Sequence, residues 1–378
     1  MEVNNIKSNI ILMKIFDNLK KNKFLKIIKY NKKLQAKLKF SIDDYKNYMN
    51  IILEIIPVFN KSGRFINILK KEEESFYHIF FDDNQNETKT NFINENEVIK
   101  KIKVVINHQV ESFQKLFYYC KCIESINFKN FYRTNIINMS QMFYECTSLK
   151  EITLENFKTD NVTDMSGMFY KCISLKKLNL SKFNTNKLKD MKQMFYECSS
   201  LKELNLSNFN TKNVLNMNCL FCRCSSLEKL NINNFNTENV TDMYYMFSQC
   251  KRLKNLDLYF FNTKNVIDMS CMFYGCASLK KININNFNTE NVTNMADMFW
   301  KCSSLVELNL NNFNTNKVTN MLRMFFCCSS LKKLILDNFN TINVTNMNDM
   351  FKRCSNELIM EIKSKYKNIK KEAFENYY

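Results

Sequence analysis

Phe287-Asn-Thr-Glu-Asn-Val-Thr-Asn-Met295-Ala-Asp-Met298-Phe299-Trp-Lys-Cys302-Ser-Ser-Leu305-Val-Glu-Leu308-Asn-Leu310 is one copy of a unit that recurs every 26 residues from about residue 113 to 357. Its inner methionine returns at Met139, Met165, Met191, Met217, Met243, Met269, Met295, Met321 and Met347, nine positions in strict phase. Such self-similarity identifies a repeat array, because a unit this short cannot bury its apolar side alone and must stack on its neighbours.

Two periodicities divide the unit. Leu201-x-x-Leu204-x-Leu206 ends in a period-2 alternation, as a short strand does. Val162, Met165, Met168, Phe169 and Cys172 follow spacings of 3, 3, 1 and 3, which suit one face of a helix. Thr159, and equally Thr185, Thr211, Thr237, Thr263, Thr289, Thr315 and Thr341, precedes that stretch where an N-cap would stand. Each unit therefore reads as strand, turn, capped helical segment and turn. The array is expected to be an α/β solenoid with a parallel sheet along one side, about 45 Å long at roughly 4.8 Å per unit. The outward column Glu151, Lys177, Glu203, Lys229, Asn255, Lys281, Glu307, Lys333 nearly alternates in sign and would favour in-register stacking.

The array is flanked by unlike segments. Residues 1–50 read as helical. Residues 51–112 read as a strand-rich N-terminal cap, with runs at Phe65–Leu69, Phe76–Phe81 and Ile102–Ile106. Residues 358–378 read as a C-terminal capping helix. Gly (3) and Pro (1) are nearly absent, so turns must be made by Asn, Asp, Ser and Thr side chains.

Fifteen cysteines first suggest disulfides, but ten of them (Cys120, Cys146, Cys172, Cys198, Cys224, Cys250, Cys276, Cys302, Cys328, Cys354) stand 26 apart. Equivalent positions in a stack run parallel rather than toward one another, which fits small buried hydrophobes better than bridges. Cys219-x-x-Cys222-x-Cys224 has thiolate spacing for a metal, but no second cluster completes a ligand set. No metal or cofactor is expected.

The string from Phe287 to Leu310 closely resembles the tandem repeat of BspA-like leucine-rich-repeat proteins. That resemblance covers about 240 residues. It implies a leucine-rich-repeat type of solenoid with short helical segments, and a role in protein binding or surface adhesion. A weaker resemblance to an F-box helical hairpin runs through Ile10–Leu19 and Leu25–Leu34, without the Leu-Pro opening or a late Trp. It would imply a substrate adaptor of a ubiquitin ligase.

Catalytic machinery is not evident. The two histidines, His78 and His108, lie outside the repeats, and neither a nucleophile elbow nor a glycine-rich phosphate loop is present. Glu145, Glu197, Asp164 and Asp242 read as a solvated face. The net charge of +18 suggests an acidic partner, yet it is spread over the chain, so nucleic acid is not expected. No apolar run reaches membrane-spanning length. A non-enzymatic protein-binding scaffold is expected, in the cytoplasm, with cell-surface display as the alternative. Sequons at Asn161, Asn179, Asn205, Asn239, Asn291 and Asn343 and the many reduced thiols favour the cytoplasm. In a repeat array, a site is sought where one unit departs from its siblings. The unit at 244–261 does so with Tyr244, Tyr245, Arg252, Tyr259 and Phe260, residue types enriched at interfaces. Trp300 occupies a position that Tyr or Phe fills in other units.

Overall fold

The structure, a computed structural model, describes residues 31–38, 41, 49–107, 109–131, 134–154 and 156–374. The F-box-like stretch and His108 fall outside the described residues, apart from residues 31–34 of the former. Five strands form one sheet, in the order β3 (Tyr77–Phe81), β5 (Ile102–Ile106), β1 (Ile51–Pro57), β6 (Ile123–Asn130), β7 (Glu151–Thr153), and β2 (Gly63–Arg64) pairs separately with β4 (Phe92–Ile93). β1 alternates buried and less buried residues, with Ile51, Leu53 and Ile55 in the core. It lies antiparallel to both β5 and β6, while β7 joins β6 in parallel. The sheet of the N-terminal segment thus runs unbroken into the first repeat. Of the expected strands, 65–69 is not one. Phe65 and Ile66 are buried there in irregular chain, and Asn67 donates its amide to the Tyr118 carbonyl at 2.8 Å.

The repeats form a β-solenoid, not the α/β array expected from spacing. The stretch read as a helix contains no α-helix. Helical chain would donate each N–H four residues back along itself. Here alternate N–H groups point sideways to the next coil: Met139 to Asp164, Gln141 to Ser166, Phe143 to Met168 and Glu145 to Tyr170, at 2.7–2.9 Å. The N–H groups between them close tight turns, as Met142 to Met139 and Cys146 to Phe143. Gln141 and Glu145 therefore adopt φ of 55° and 54°, and the same two columns repeat this in every coil. Left-handed φ at non-glycine residues costs about 1–2 kcal/mol each. It persists because the sideways bonds and the buried Met, Phe and Cys columns fix the backbone on both sides.

The threonine column is likewise no set of helix caps. Thr211 is fully buried. Its Oγ1 donates to the Asn236 carbonyl at 2.8 Å and accepts the Asn236 N–H at 2.8 Å, tying one coil to the next. Of the carboxylates read as a solvated face, Asp164 and Asp242 make turns instead. Asp164, Asp190, Asn216 and Asp242 each accept, at Oδ1, the N–H two residues on. The same residues form single-residue parallel bridges up the stack. Asx turns of this kind replace the missing glycine and proline.

The fifteen cysteines are free thiols. The column lies inside, and Cys146, Cys172, Cys198 and their equivalents each donate to a carbonyl 29 residues earlier. Burial pushes these thiols up, to about 12 at Cys224 and Cys276.

On the opposite side of the coil the strands are three residues long. They pair in parallel as β8 (Glu203–Asn205) with β9 (Lys229–Asn231), β10 (Asn255–Asp257) with β11 (Lys281–Asn283), and β12 (Glu307–Asn309) with β13 (Lys333–Ile335). Glu203 faces Lys229 in register, and their side chains pair at 2.7 Å, as the sign alternation implied. Both are largely exposed, so the pair contributes little to stability.

After the last coil, an α-helix, α1, spans Asn356–Lys365, capped by Ser355 Oγ accepting from the Leu358 N–H at 3.2 Å. Leu358 and Ile362 are buried. The helix stops well short of the expected 358–378 segment. Beyond it, Tyr366 accepts the Leu336 N–H, Ala373 accepts the Phe351 N–H, and the Phe374 ring stacks on Phe351 at 5.2 Å. Chain that is irregular apart from a 3-10 turn at Lys371–Ala373 thus lies over the last coil and supplies hydrogen-bond acceptors that the side of an α-helix does not offer.

Candidate functional site

Two aromatic columns run up the helix-mimicking side of the coils. The inner one is buried and unbroken: Phe195, Phe221, Phe247 and Phe273 stack at 5.7, 5.6 and 5.7 Å, within a series that extends from Phe117 to Phe374. The outer one starts at Tyr118 and continues through Tyr144, Tyr170 and Tyr196, with Tyr144–Tyr170 at 4.2 Å and Tyr170–Tyr196 at 4.5 Å. It resumes with Tyr274, Trp300 and Phe326 at 4.2 and 5.8 Å. Between the two runs the equivalent positions are Cys222 and Ser248.

Two missing rungs over an intact floor leave a groove of about 720 Å³. Tyr196 forms one wall. The Arg223 guanidinium lies over its ring at 5.9 Å and pairs with Glu197 at 3.6 Å. Tyr274 forms the other wall, with Tyr245 leaning toward it at 6.2 Å. The floor carries Cys219, Cys222 and Ser248, all buried. Cys219 and Cys222 share a hydrogen bond, which favours the thiolate at Cys219 and, together with burial, pushes Cys222 up. Cys224 belongs to the interior column and donates to the Phe195 carbonyl at 3.0 Å, so the three thiols of the short-spaced cluster do not converge. Among the described residues no group of three or more His, Cys, Asp or Glu side chains is placed to hold a metal.

The sequence-derived candidates are not brought together. Tyr244 and Tyr245 line this groove, their rings 4.2 Å apart. Arg252 pairs instead with Glu228 at 3.5 Å. Tyr259 and Phe260 are 46% and 67% exposed, and Phe260 lines a separate hollow beside Phe235 and Asn262. Sequence reasoning missed Tyr196, Arg223, Ser248 and Tyr274. Aligning the units in their own period would have shown the break in the outer ring column.

A larger groove of about 1110 Å³ crosses the strand side, lined among others by Lys177, Asn179, Glu203 and Lys229. Its lining repeats from coil to coil, so it is a general property of the stack. The groove at Cys222 and Ser248 is where the stack stops repeating, which makes it the candidate site.

Fold and site together define a non-helical repeat solenoid whose coils are interrupted at one place in their outer column. The family model described as "Mycoplasma protein of unknown function, DUF285" matches three times in tandem, at residues 111–204, 200–306 and 278–374, and the chain belongs to this family. No curated protein matches the chain. Among solved structures, one titled as the Toll–Spatzle complex of Drosophila is similar at 16% identity, covering 53% of this chain and 28% of that chain, with a TM-score of 0.28. The chain thus spans under a third of that structure's length, and a likeness at this level carries no argument about fold or function.

Proposed function

We propose that the chain is a non-enzymatic protein-interaction scaffold, related to BspA-like leucine-rich-repeat proteins through the unit from Phe287 to Leu310, and acting through the groove between Tyr196 and Tyr274. One observation carries this reading: the coils keep an intact interior at that point while the outer column loses two rings. A stability role would have kept them. In a quasi-one-dimensional array, local departures at the surface leave the stack intact and are free to serve binding. The N-terminal sheet from β1 to β6 and the segment from α1 to Phe374 serve as the two ends of the array, covering apolar coil faces that would otherwise meet water.

A cytoplasmic setting is part of the proposal. It is supported by the free thiols and by the sequon amides of Asn161, Asn239, Asn291 and Asn343, each of which donates to a neighbouring coil's carbonyl at 2.7–2.9 Å. Glycosylation there would remove a bond that holds two coils together. Among the described residues no helix is long and apolar enough to cross a membrane.

The test is affinity purification with the full chain and with a Tyr245→Ala/Arg223→Ala variant of equal thermal stability. A partner held by the parent chain and lost by the variant supports the scaffold reading. A set of bound proteins identical for both, or turnover of a substrate class with no stable partner, opposes it.

A further inference from the structure

The groove has a shape more specific than a general docking face. Rungs Tyr196 and Tyr274 are three coil steps apart, roughly 14 Å at about 4.8 Å per step. That span is about three stacking separations of the kind an offset aromatic pair adopts, the room of the two missing rings, with Tyr245 leaning in from the Tyr274 side. The neighbouring rungs show that separation directly, at 4.2 and 4.5 Å. The fully buried Ser248 hydroxyl, beside the Cys222 sulfur, is without a hydrogen-bond partner of ordinary geometry. Such a group is costly to leave unpaired, and its presence at the floor of a slot points to a ligand that pairs it. Arg223 ends the first run of rings as Arg353, at 5.7 Å from Phe326, ends the second. In the coil of Arg353 the outer position is Lys352, and among the described residues no ring follows it in that column. Beyond Arg223 the column resumes. Among the described residues, the first Arg alone of the two therefore stands between two aromatic walls.

We infer that the slot between Tyr196 and Tyr245 is a binding site for one planar aromatic ring with a hydrogen-bonding edge, inserted as the missing rung of the outer column. The ring stacks between the Tyr196–Arg223 wall and Tyr245, and its polar edge donates to or accepts from Ser248 Oγ. A phenol or an indole meets these requirements, as a free small molecule or as the side chain of a polypeptide. The site is independent of the scaffold reading in the first case and deepens it in the second.

Calorimetric titration of the full chain uses three probes: p-cresol, indole and an acetylated, amidated tripeptide Gly-Trp-Gly. Saturable one-to-one binding is expected, weakened at least tenfold by Ser248→Tyr, which fills a rung with the ring its sibling coils carry, and about threefold or more by Arg223→Ala, whose side chain is 57% exposed. Free rings binding as tightly as the tripeptide assign the site to small molecules. Tripeptide binding at least tenfold tighter assigns it to a partner's side chain. In the latter case, recovery of no partner by the parent chain in the affinity test, with ring binding retained, rejects the scaffold reading alone. Absence of saturable binding by all three probes, or binding unchanged in both variants, overturns the slot.

Discussion

Thr211 and Asn236, 25 residues apart, hold each other by two hydrogen bonds: the threonine hydroxyl donates to the asparagine carbonyl and accepts its amide, each at 2.8 Å. The exchange repeats up the stack, as between Thr185 and Asn210 at 3.1 and 2.7 Å. A residue type chosen for its hydroxyl at a helix cap is used instead as a buried rivet between coils. Thr211→Val keeps the volume and leaves both Asn236 backbone groups unpaired, which should cost about 2–4 kcal/mol. Thr211→Ser keeps the hydroxyl and should cost under about 1 kcal/mol. Denaturant melts of the two variants separate these outcomes, and equal losses would mean that the methyl group matters and the hydroxyl does not.

The left-handed columns make a second expectation. Gln141 has φ of 55°, and its equivalent one coil on is Gly167 at 58°. Gln141→Gly should be neutral or slightly stabilising, whereas Gln141→Val, β-branched at positive φ, should lose about 1–2 kcal/mol more than Gly. Thermal melts of the two variants measure the difference. The reverse order would indicate a right-handed, helical residue at this position.

The buried thiols predict an alkaline weakness. Their folded pKa is raised, from 9.0 to about 12 at Cys224, Cys276 and Cys354. The folded state therefore keeps protons that the unfolded state loses, so stability is fully present below pH 9 and declines as pH rises toward 12. The melting temperature should fall steadily across that window, less steeply in a Cys224→Ala/Cys276→Ala variant measured against its own value at pH 7. At pH 8 the native column should resist alkylation, while Cys219, whose thiolate is favoured by the Cys222 hydrogen bond, reacts first among the floor thiols.

Completing the outer ring column should stabilise the chain. Cys222→Tyr with Ser248→Tyr restores stacking from Tyr196 to Tyr274, worth about 0.5–1.5 kcal/mol per new ring pair. A higher urea midpoint with an unchanged slope is the expected readout. A lower midpoint would show that the floor residues are there for packing.

Sequence alone was enough for the period, the in-register stacking, the interior position of methionines, phenylalanines and thiols, and the pairing of Glu203 with Lys229. It misassigned the coil's second half because Val162, Met165, Met168, Phe169 and Cys172 are buried together in either geometry: side-chain spacing does not report where the N–H groups point. Two signals distinguish the cases. Gly167 and Gly275 fall in the two columns that need positive φ, and an Asn or Asp precedes each inner methionine, where it makes an Asx turn. A helix start would tolerate the second signal but not the first in its interior. The site was half legible. Tyr244 and Tyr245 stood out as unusual residues, but Cys222 and Ser248 matter for the rings they lack, and an absence shows only against the siblings. Tyr259, Phe260 and Arg252 were grouped with them by chain proximity, which a coil distributes around its perimeter.

The central claim is that each coil bonds sideways to the next through the stretch that resembles a helix. Scalar couplings across hydrogen bonds, measured by NMR on deuterated, nitrogen- and carbon-labelled protein, report donor and acceptor directly. The account predicts couplings from the Phe143 amide to the Met168 carbonyl, Phe195 to Leu220, and Phe299 to Met324, pairs that lie 2.9, 3.0 and 2.9 Å apart. Couplings from those amides to carbonyls four residues earlier in the same coil would contradict it.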